Sequence, residues 1–351
     1  MPSAESTRAK TGEHARVIKL VAIGGGTGLS TILKGLKHYD LRRLHLNKNG
    51  AGDAPMAIAE MAAVVTVTDD GGSSGRLRKD FNMLPPGDIR NCIVALSEDE
   101  ALLSKLFQYR FTAGEGLEGH NFGNLFVAAL TAITGDFSEA VKVSSAVLNT
   151  HGQIFPCTTS NVQLDAVMDD GSRVRGETRI TASQRRVIDL RLVPANARPL
   201  PQVLDAINKA DVITLGPGSL FTSLIPNLLV QGIPQAIGKS PAVRVFICNL
   251  MTQANESLNM TASDHIRAIY DHAGCRIFDY TLVNTRPVSA EMRENYAREN
   301  ASQIVCDTEA VEALGVKVIP GDFLEEAGVA RHAAHRVALA LFQVLEQHAL
   351  H

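Results

Sequence analysis

The sequence predicts an α/β fold, with a mostly parallel sheet, helices on both faces and a small antiparallel β excursion. Three observations predict it. Two apolar, β-branched runs end in glycine-rich turns and continue as helical patterns. The runs are nearly continuous in apolar residues, as strands covered on both faces must be. Between Ile154 and Val193 the period changes to two.

Val17 to Ile23 reads as the first strand, Gly24-Gly25-Gly26-Thr27-Gly28 as its turn, and Leu29, Ile32, Leu33 and Leu36 as one face of the helix that follows. Residues 40–60 are polar, rich in Asn, Gly and Lys, and read as an inserted surface loop. Ala62 to Thr68 is the second strand and runs into Asp69-Asp70-Gly71-Gly72-Ser73-Ser74-Gly75. Pro85-Pro86-Gly87 stops the chain, Asp88 is placed to cap, and Ile89, Cys92, Ile93 and Leu96 recur at helical spacing. Helices are expected across Glu98–Tyr109, Asn121–Ile133 and Ser138–Asn149. In the excursion, 154–193, Val162, Leu164, Ala166 and Met168 alternate, Asp170-Gly171 turns, and Ile188, Leu190 and Leu192 alternate again. The α/β rhythm returns with a helix near Pro201–Lys209, a strand Val212–Leu215, the turn Gly216-Pro217-Gly218-Ser219 and a helix from Leu220. Further strands fit Val243–Cys248, Phe278–Val283, Gln303–Cys306 and Val316–Ile319, and a last helix fits His332–Gln347.

With 351 residues, 45% hydrophobic and 20% charged, the chain can bury a core as one large domain over 17–351, after a polar tail at 1–16. A formal net charge of -3 supplies no basic field for nucleic acid. Five separated cysteines, mostly in apolar segments, read as reduced core thiols. No apolar run approaches the roughly 20 residues that span a bilayer, so the cytoplasm is the expected location. Size and class lead one to expect a homodimer.

Glycines let a backbone accept positive φ and let a diphosphate approach the amides at a helix N-terminus. Gly24, Gly25, Gly26, Thr27 and Gly28 are the candidate cradle; Leu29 stands where the dinucleotide fingerprint has its third glycine. Asp69 and Asp70 end the second strand, where an acid can bond a ribose hydroxyl, hold Mg²⁺ against a diphosphate, or simply form a turn. Ser73 and Ser74 add hydroxyls to a second anion nest. Gly216, Gly218 and Ser219 repeat the logic, with Ser219 or Thr222 able to cap the helix or meet an anion. Both turns are expected at one cleft beyond the carboxyl ends of the strands. Asn121 and Asn124 can read a base or sugar edge, with N-capping as the simpler role for Asn121. His120 is read as structural, and His332 and His335 as surface residues without metal-ligand companions.

GGGTG at 24–28, TDDGGSSGRLR at 68–78, PPGDIRN at 85–91, GHNFGNL at 119–125, GPGSLFTS at 216–223 and NLMTQ at 249–253 together resemble the YvcK/CofD-like family. PPGDIRN and GHNFGNL make the sequence more similar to its YvcK branch, often called gluconeogenesis factor. The resemblance implies a Rossmann-like fold, cytoplasmic location, binding of UDP-sugars such as UDP-N-acetylglucosamine, and a role in cell shape and carbon use during gluconeogenic growth. It also implies that Tyr296 and Arg331 contact the UDP-sugar. Ala333 replaces the usual Asp of that corner, and the 40–60 loop is longer than is typical. The leading expectation is thus a UDP-sugar-binding regulatory protein acting through an unidentified protein partner. The alternative is a 2-phospho-L-lactate transferase-like enzyme using a nucleotide-activated donor with Mg²⁺. An NAD-dependent redox enzyme ranks third, lacking the third glycine and a proton donor.

Overall fold

A computed structural model describes residues 16–46, 56–98, 102–183, 185–254 and 256–349. Strand β1 (Arg16–Gly24) leads into α1 (Gly26–Leu36), which buries Leu29, Ile32, Leu33 and Leu36 as its spacing demands. The expected loop at 40–60 is corrected. It holds α2 (Leu41–Leu46) and the first half of β2 (Met56–Val65), while 47–55 lie outside the described residues. Met56, Ala57 and Ile58 are core residues, but three apolar positions beside an Asn, Gly and Lys segment are too short a pattern to announce a strand.

The helical block follows as α3 (Gly72–Phe81), α4 (Gly87–Leu96), α5 (Leu102–Gln108), α6 (Phe122–Thr134) and α7 (Phe137–Val147). Then β3 (Gln153–Pro156) pairs in parallel with β2, so the antiparallel excursion begins later than residue 154. It comprises β4 (Gln163–Met168), β5 (Arg173–Arg175), α8 (Glu177–Ala182) and β6 (Val187–Val193), in the strand order β5-β4-β6. A four-residue strand alternates the same way whatever its partner, which is why β3 read as part of the excursion.

The second half runs α9 (Pro201–Lys209), β7 (Val212–Leu215), a π-helical turn at Leu220–Leu224, α10 (Ile225–Leu228), α11 (Ile233–Lys239), β8 (Val243–Ile247), α12 (Ala262–Ala273), β9 (Tyr280–Asn284), α13 (Ala290–Ala297) and α14 (Thr308–Ala313). It closes with β10 (Lys317–Gly321), β11 (Leu324–Glu326), β12 (Ala330–His332) and α15 (Ala334–His348). The strand expected at Gln303–Cys306 is absent: Gln303 makes a single bridge to Met251, and its side chain ties Val288 N and Arg286 O across a loop. The β11–β12 hairpin, with three-residue strands, left no periodicity to read.

Seven parallel strands stand in the order β10-β9-β8-β7-β1-β2-β3. Strands β7 and β9 are buried along their whole length, so both faces are covered. Helix α1 packs against α4 and α15, α9 against α11, and α10 against α12. The chain winds outward from β1 in one direction and from β7 in the other, which makes the gap between these neighbours the topological switch point. Among the described residues no single helix is long and apolar enough to cross a membrane; the bent apolar pair at 220–228 and 233–239 lies largely inside the fold.

Candidate functional site

At the end of β1, Gly24 O accepts from Thr66 N at 2.9 Å and from Asn227 Nδ2 at 3.2 Å, so Gly24 anchors the turn rather than facing a ligand. Gly25 is extended, and a Cβ there would come within 2.4 Å of Thr66 Cγ2 and 2.8 Å of Asp88 Oδ2. Gly26 has φ +63°, which favours glycine. A Cβ on Gly28 would stand 2.4 Å from the carbonyl oxygen of Pro217, so only glycine lets the second turn approach the first. The N–H groups that open α1 have no carbonyl of their own helix to bond. The Asp88 carboxyl accepts the one on Gly26.

The second turn leaves β7, with Gly216 N donating to Ile23 O at 3.0 Å. Gly216 has φ +88°, and a Cβ on it would lie 2.7 Å from Ile247 O. Asn249 holds Gly218 from both sides, accepting from its N–H at 3.1 Å and donating to its carbonyl at 2.8 Å. Gln253 Nε2 donates to Ser219 Oγ at 3.1 Å, leaving the buried Gln253 Oε1 without a partner. The expected capping by Ser219 or Thr222 is corrected. The Glu256 carboxylate accepts from Phe221 N at 2.6 Å and Thr222 N at 3.0 Å, and burial pushes its pKa up to about 7. A carboxylate takes two amides at once where a hydroxyl takes one, and Glu256 comes from a loop that local sequence does not reveal.

Between the turns lies a cleft of about 250 Å³, lined by Thr27, Gly28, Gly218, Ser219, Tyr296 and Arg331 among others. Tyr296 Oη accepts from Ala330 N at 3.3 Å, which ties α13 to β12. His332 is buried, not superficial. Its Nε2 meets Cys248 O at 3.0 Å, and burial drives its pKa down to about 4. The surface expectation fails for His332 because β12 turns the chain inward before α15 starts, and holds for His335, which is exposed while its Nδ1 bonds Tyr39 Oη at 3.0 Å.

Asp69 and Asp70 part company. Asp69 Oδ1 accepts from Gly71 N at 2.9 Å, and its Oδ2 faces Gly87, where a Cβ would meet it at 2.9 Å and Ser74 Oγ at 2.5 Å. Asp70 Oδ1 accepts Thr178 N at 2.8 Å and Thr178 Oγ1 at 2.6 Å, capping α8. Two acids not anticipated as site residues join Asp69. Burial, then the charge of Asp69, raises Asp88 to about 6 against the N–H of Gly26. Burial, then Asp69, Asp88 and Asp70, raises Glu177 to about 9. The helix start after Pro86 pointed at Asp88 only as a cap, whereas Pro86 holds the cap position and Asp88 points into the glycine turn. Among the described residues no three His, Cys, Asp or Glu side chains stand in metal-holding geometry.

Ser73, Ser74, Asn121 and Asn124 stitch α3 to α6 and do not line the glycine cleft. Asn121 caps α6 by accepting Asn124 N at 3.2 Å. Ser73 Oγ accepts Asn121 N at 3.2 Å and meets His120 Nδ1 at 3.1 Å, while Asn124 Nδ2 reaches Ser74 Oγ at 3.4 Å. Burial, then Arg76, lowers the His120 pKa.

A doubly wound parallel sheet whose first and seventh strands send interlocking glycine turns into one cleft defines a Rossmann-like α/β protein. The profile of the 2-phospho-L-lactate transferase CofD family matches residues 20–324. The chain is 46% identical to the gluconeogenesis factor of Halalkalibacterium halodurans over 92% of its length and 95% of that protein. It is 43% identical to the gluconeogenesis factor of Bacillus subtilis, covering 94% of this chain and 98% of that one. A crystal structure of a Bacillus halodurans protein superposes with TM-score 0.85 at 45% identity, over 93% of this chain and 99% of that one. The chain belongs to the CofD family, in its YvcK or gluconeogenesis-factor branch.

Proposed function

We propose that the cleft between the two glycine turns binds the diphosphate of a UDP-sugar, and that the chain is a regulatory protein of cell shape and carbon use whose state this ligand sets. One observation carries the reading: Thr27, Gly28, Gly218, Ser219, Tyr296 and Arg331 converge on one cleft at the switch point. Thr27 and Gly28 bring amides at the positive end of α1, and Arg331 brings a fixed positive charge. At about 250 Å³ the cleft suits the pyrophosphate portion rather than a whole nucleotide-sugar. Binding would favour whichever arrangement of the two turns holds the ligand better, which is how a bound metabolite is presented to a protein partner. Cytoplasmic location and a homodimer belong to the same proposal.

Calorimetric titration with UDP-N-acetylglucosamine is expected to show saturable binding, weakened about tenfold or more by Arg331→Ala through loss of a charge-assisted bond. Absence of heat at ligand concentrations far above the micromolar range would end the reading. The family's name supports a second one, transfer of a phospholactyl group from a nucleotide-activated donor. Only a mass-identified product from donor and acceptor would establish it, because a shared fold does not confer chemistry. Asp69 and Asp70 are the carboxylates proposed to hold any Mg²⁺ used there, together with the phosphates of the ligand.

A further inference from the structure

Three guanidinium groups surround the loop between α5 and α6. Arg76 Nη2 donates to Glu118 O at 2.8 Å, and Arg110 Nη1 donates to Gly119 O at 2.7 Å, so two arginines from different elements grip consecutive carbonyls. Both line one open cavity of about 850 Å³, together with Gly72 and the exposed Glu115 and Glu118. Arg90 is not part of that lining, but it lies close enough to Arg110 for the two charges to interact. Its stem passes under the first turn of α6, where a Cβ on Gly123 would come within 2.8 Å of Arg90 Cδ. Its Nη2 bonds Asn91 Oδ1 at 2.6 Å, but its Nε is buried without a partner.

Several other arginines meet acids: Arg42 with Asp40, Arg244 with Asp279, Arg336 with Asp322. The buried Arg78 is satisfied by Asn161 and by the carbonyls of Thr68 and Val162. Among the described residues, Arg76, Arg90 and Arg110 have no carboxylate at ion-pair distance. Desolvation first, and then Arg110, lowers the Arg90 pKa, with Asp88 and Asp69 opposing from the other side. Like charges assembled with an unsatisfied buried donor are unfavourable unless an anion completes them. Planar guanidiniums suit the paired oxygens of phosphate or carboxylate.

We infer that Arg76, Arg90 and Arg110 form a second anion subsite, distinct from the glycine cleft, which takes a small ligand bearing a phosphate or carboxylate group. The two sites share no lining residue. The inference stands whether or not the glycine cleft takes a UDP-sugar.

The full-length protein is titrated by calorimetry with inorganic phosphate and, separately, with citrate, up to on the order of 10 mM. Saturable binding of either probe is expected, weakened at least about tenfold in Arg76→Gln and in Arg110→Gln and still present in Arg331→Ala. Binding of phosphate alone assigns a phosphorylated ligand, of citrate alone a carboxylate, of both a general oxyanion site. Arg76 and Arg110 reach the surface, so their variants are expected to keep the wild-type circular dichroism spectrum. Arg90→Lys keeps the charge while losing the fork, and is expected to weaken binding as well. No binding of either probe overturns the inference. So does binding that survives Arg76→Gln with Arg110→Gln, or that Arg331→Ala abolishes, since the ion would then belong to the glycine cleft.

Discussion

Glu177 shows how burial sets the chemistry of a side chain that local sequence makes ordinary. It sits in the first turn of α8, where a negative charge is normally favoured, yet enclosure beside Asp69, Asp88 and Asp70 raises it to about 9. The folded protein therefore holds this proton more tightly than the unfolded chain, whose value lies near 4.5. The stabilisation is fully present below pH 4.5 and is lost as pH rises through about 9. Glu177→Gln removes the titration while leaving an acceptor for Thr68 Oγ1, which lies 3.3 Å from the carboxyl. Thermal melts between pH 5 and about 9.5 are expected to show the wild type losing stability relative to Glu177→Gln as pH rises. A constant difference across that range would refute the buried-acid account. Asp70 was legible as important but not in its role, because a carboxylate at the end of a strand can bond whatever element folds over it. Here that element is α8, more than one hundred residues further along the chain.

At the level of elements, helix and strand positions followed from apolar periodicity, while their caps often did not. Asn121 and Asp136 cap α6 and α7 from adjacent sequence, as local rules require. The helix after the second glycine turn has no such local cap, and Glu256 supplies its acceptor from 35 residues away. Glu256→Ala is expected to leave the buried Phe221 and Thr222 amides unbonded and to lower stability by about 1–3 kcal/mol in denaturant unfolding. Glu256→Gln, which keeps one acceptor oxygen, is expected to lose clearly less. Equal losses would mean that packing, rather than the two amides, sets the cost. The Gln303–Cys306 segment was misread and the β11–β12 hairpin went unread because, over three or four residues, a strand and an extended loop cannot be told apart by alternation.

Across the whole molecule, the decisive contact is between halves of the chain that are far apart in sequence. The backbone of Pro217 rests against Gly28 so closely that a methyl group would overlap its carbonyl at 2.4 Å. Gly28→Ala is expected to lower stability by about 1–3 kcal/mol, since backbone rather than a flexible side chain must yield. It is also expected to weaken any ligand held by both turns. Gly135→Ala is the control, where φ is +72° but nothing lies within 4 Å of the added carbon, so that strain alone operates, at about 1–2 kcal/mol. If calorimetry found that Gly28→Ala left nucleotide-sugar binding intact, the interlocked turns would not be the binding element.

Sequence by itself determined the α/β class, the parallel strands, the two glycine turns and the antiparallel excursion, because each is written in residues that neighbour one another. It also marked Tyr296 and Arg331 through a family likeness, and the structure places both beside the glycine turns. Only the tertiary structure decided that the turns interlock through Gly28 and Pro217, that Asn249 and Glu256 occupy amides of the second turn, and that Asp69 and Asp70 diverge. It alone gathered Asp88 with Glu177, and Arg90 with Arg110. The division has a physical cause: backbone preference and apolar period act over a few residues, whereas the pairing of buried polar groups depends on which distant segments the sheet brings side by side.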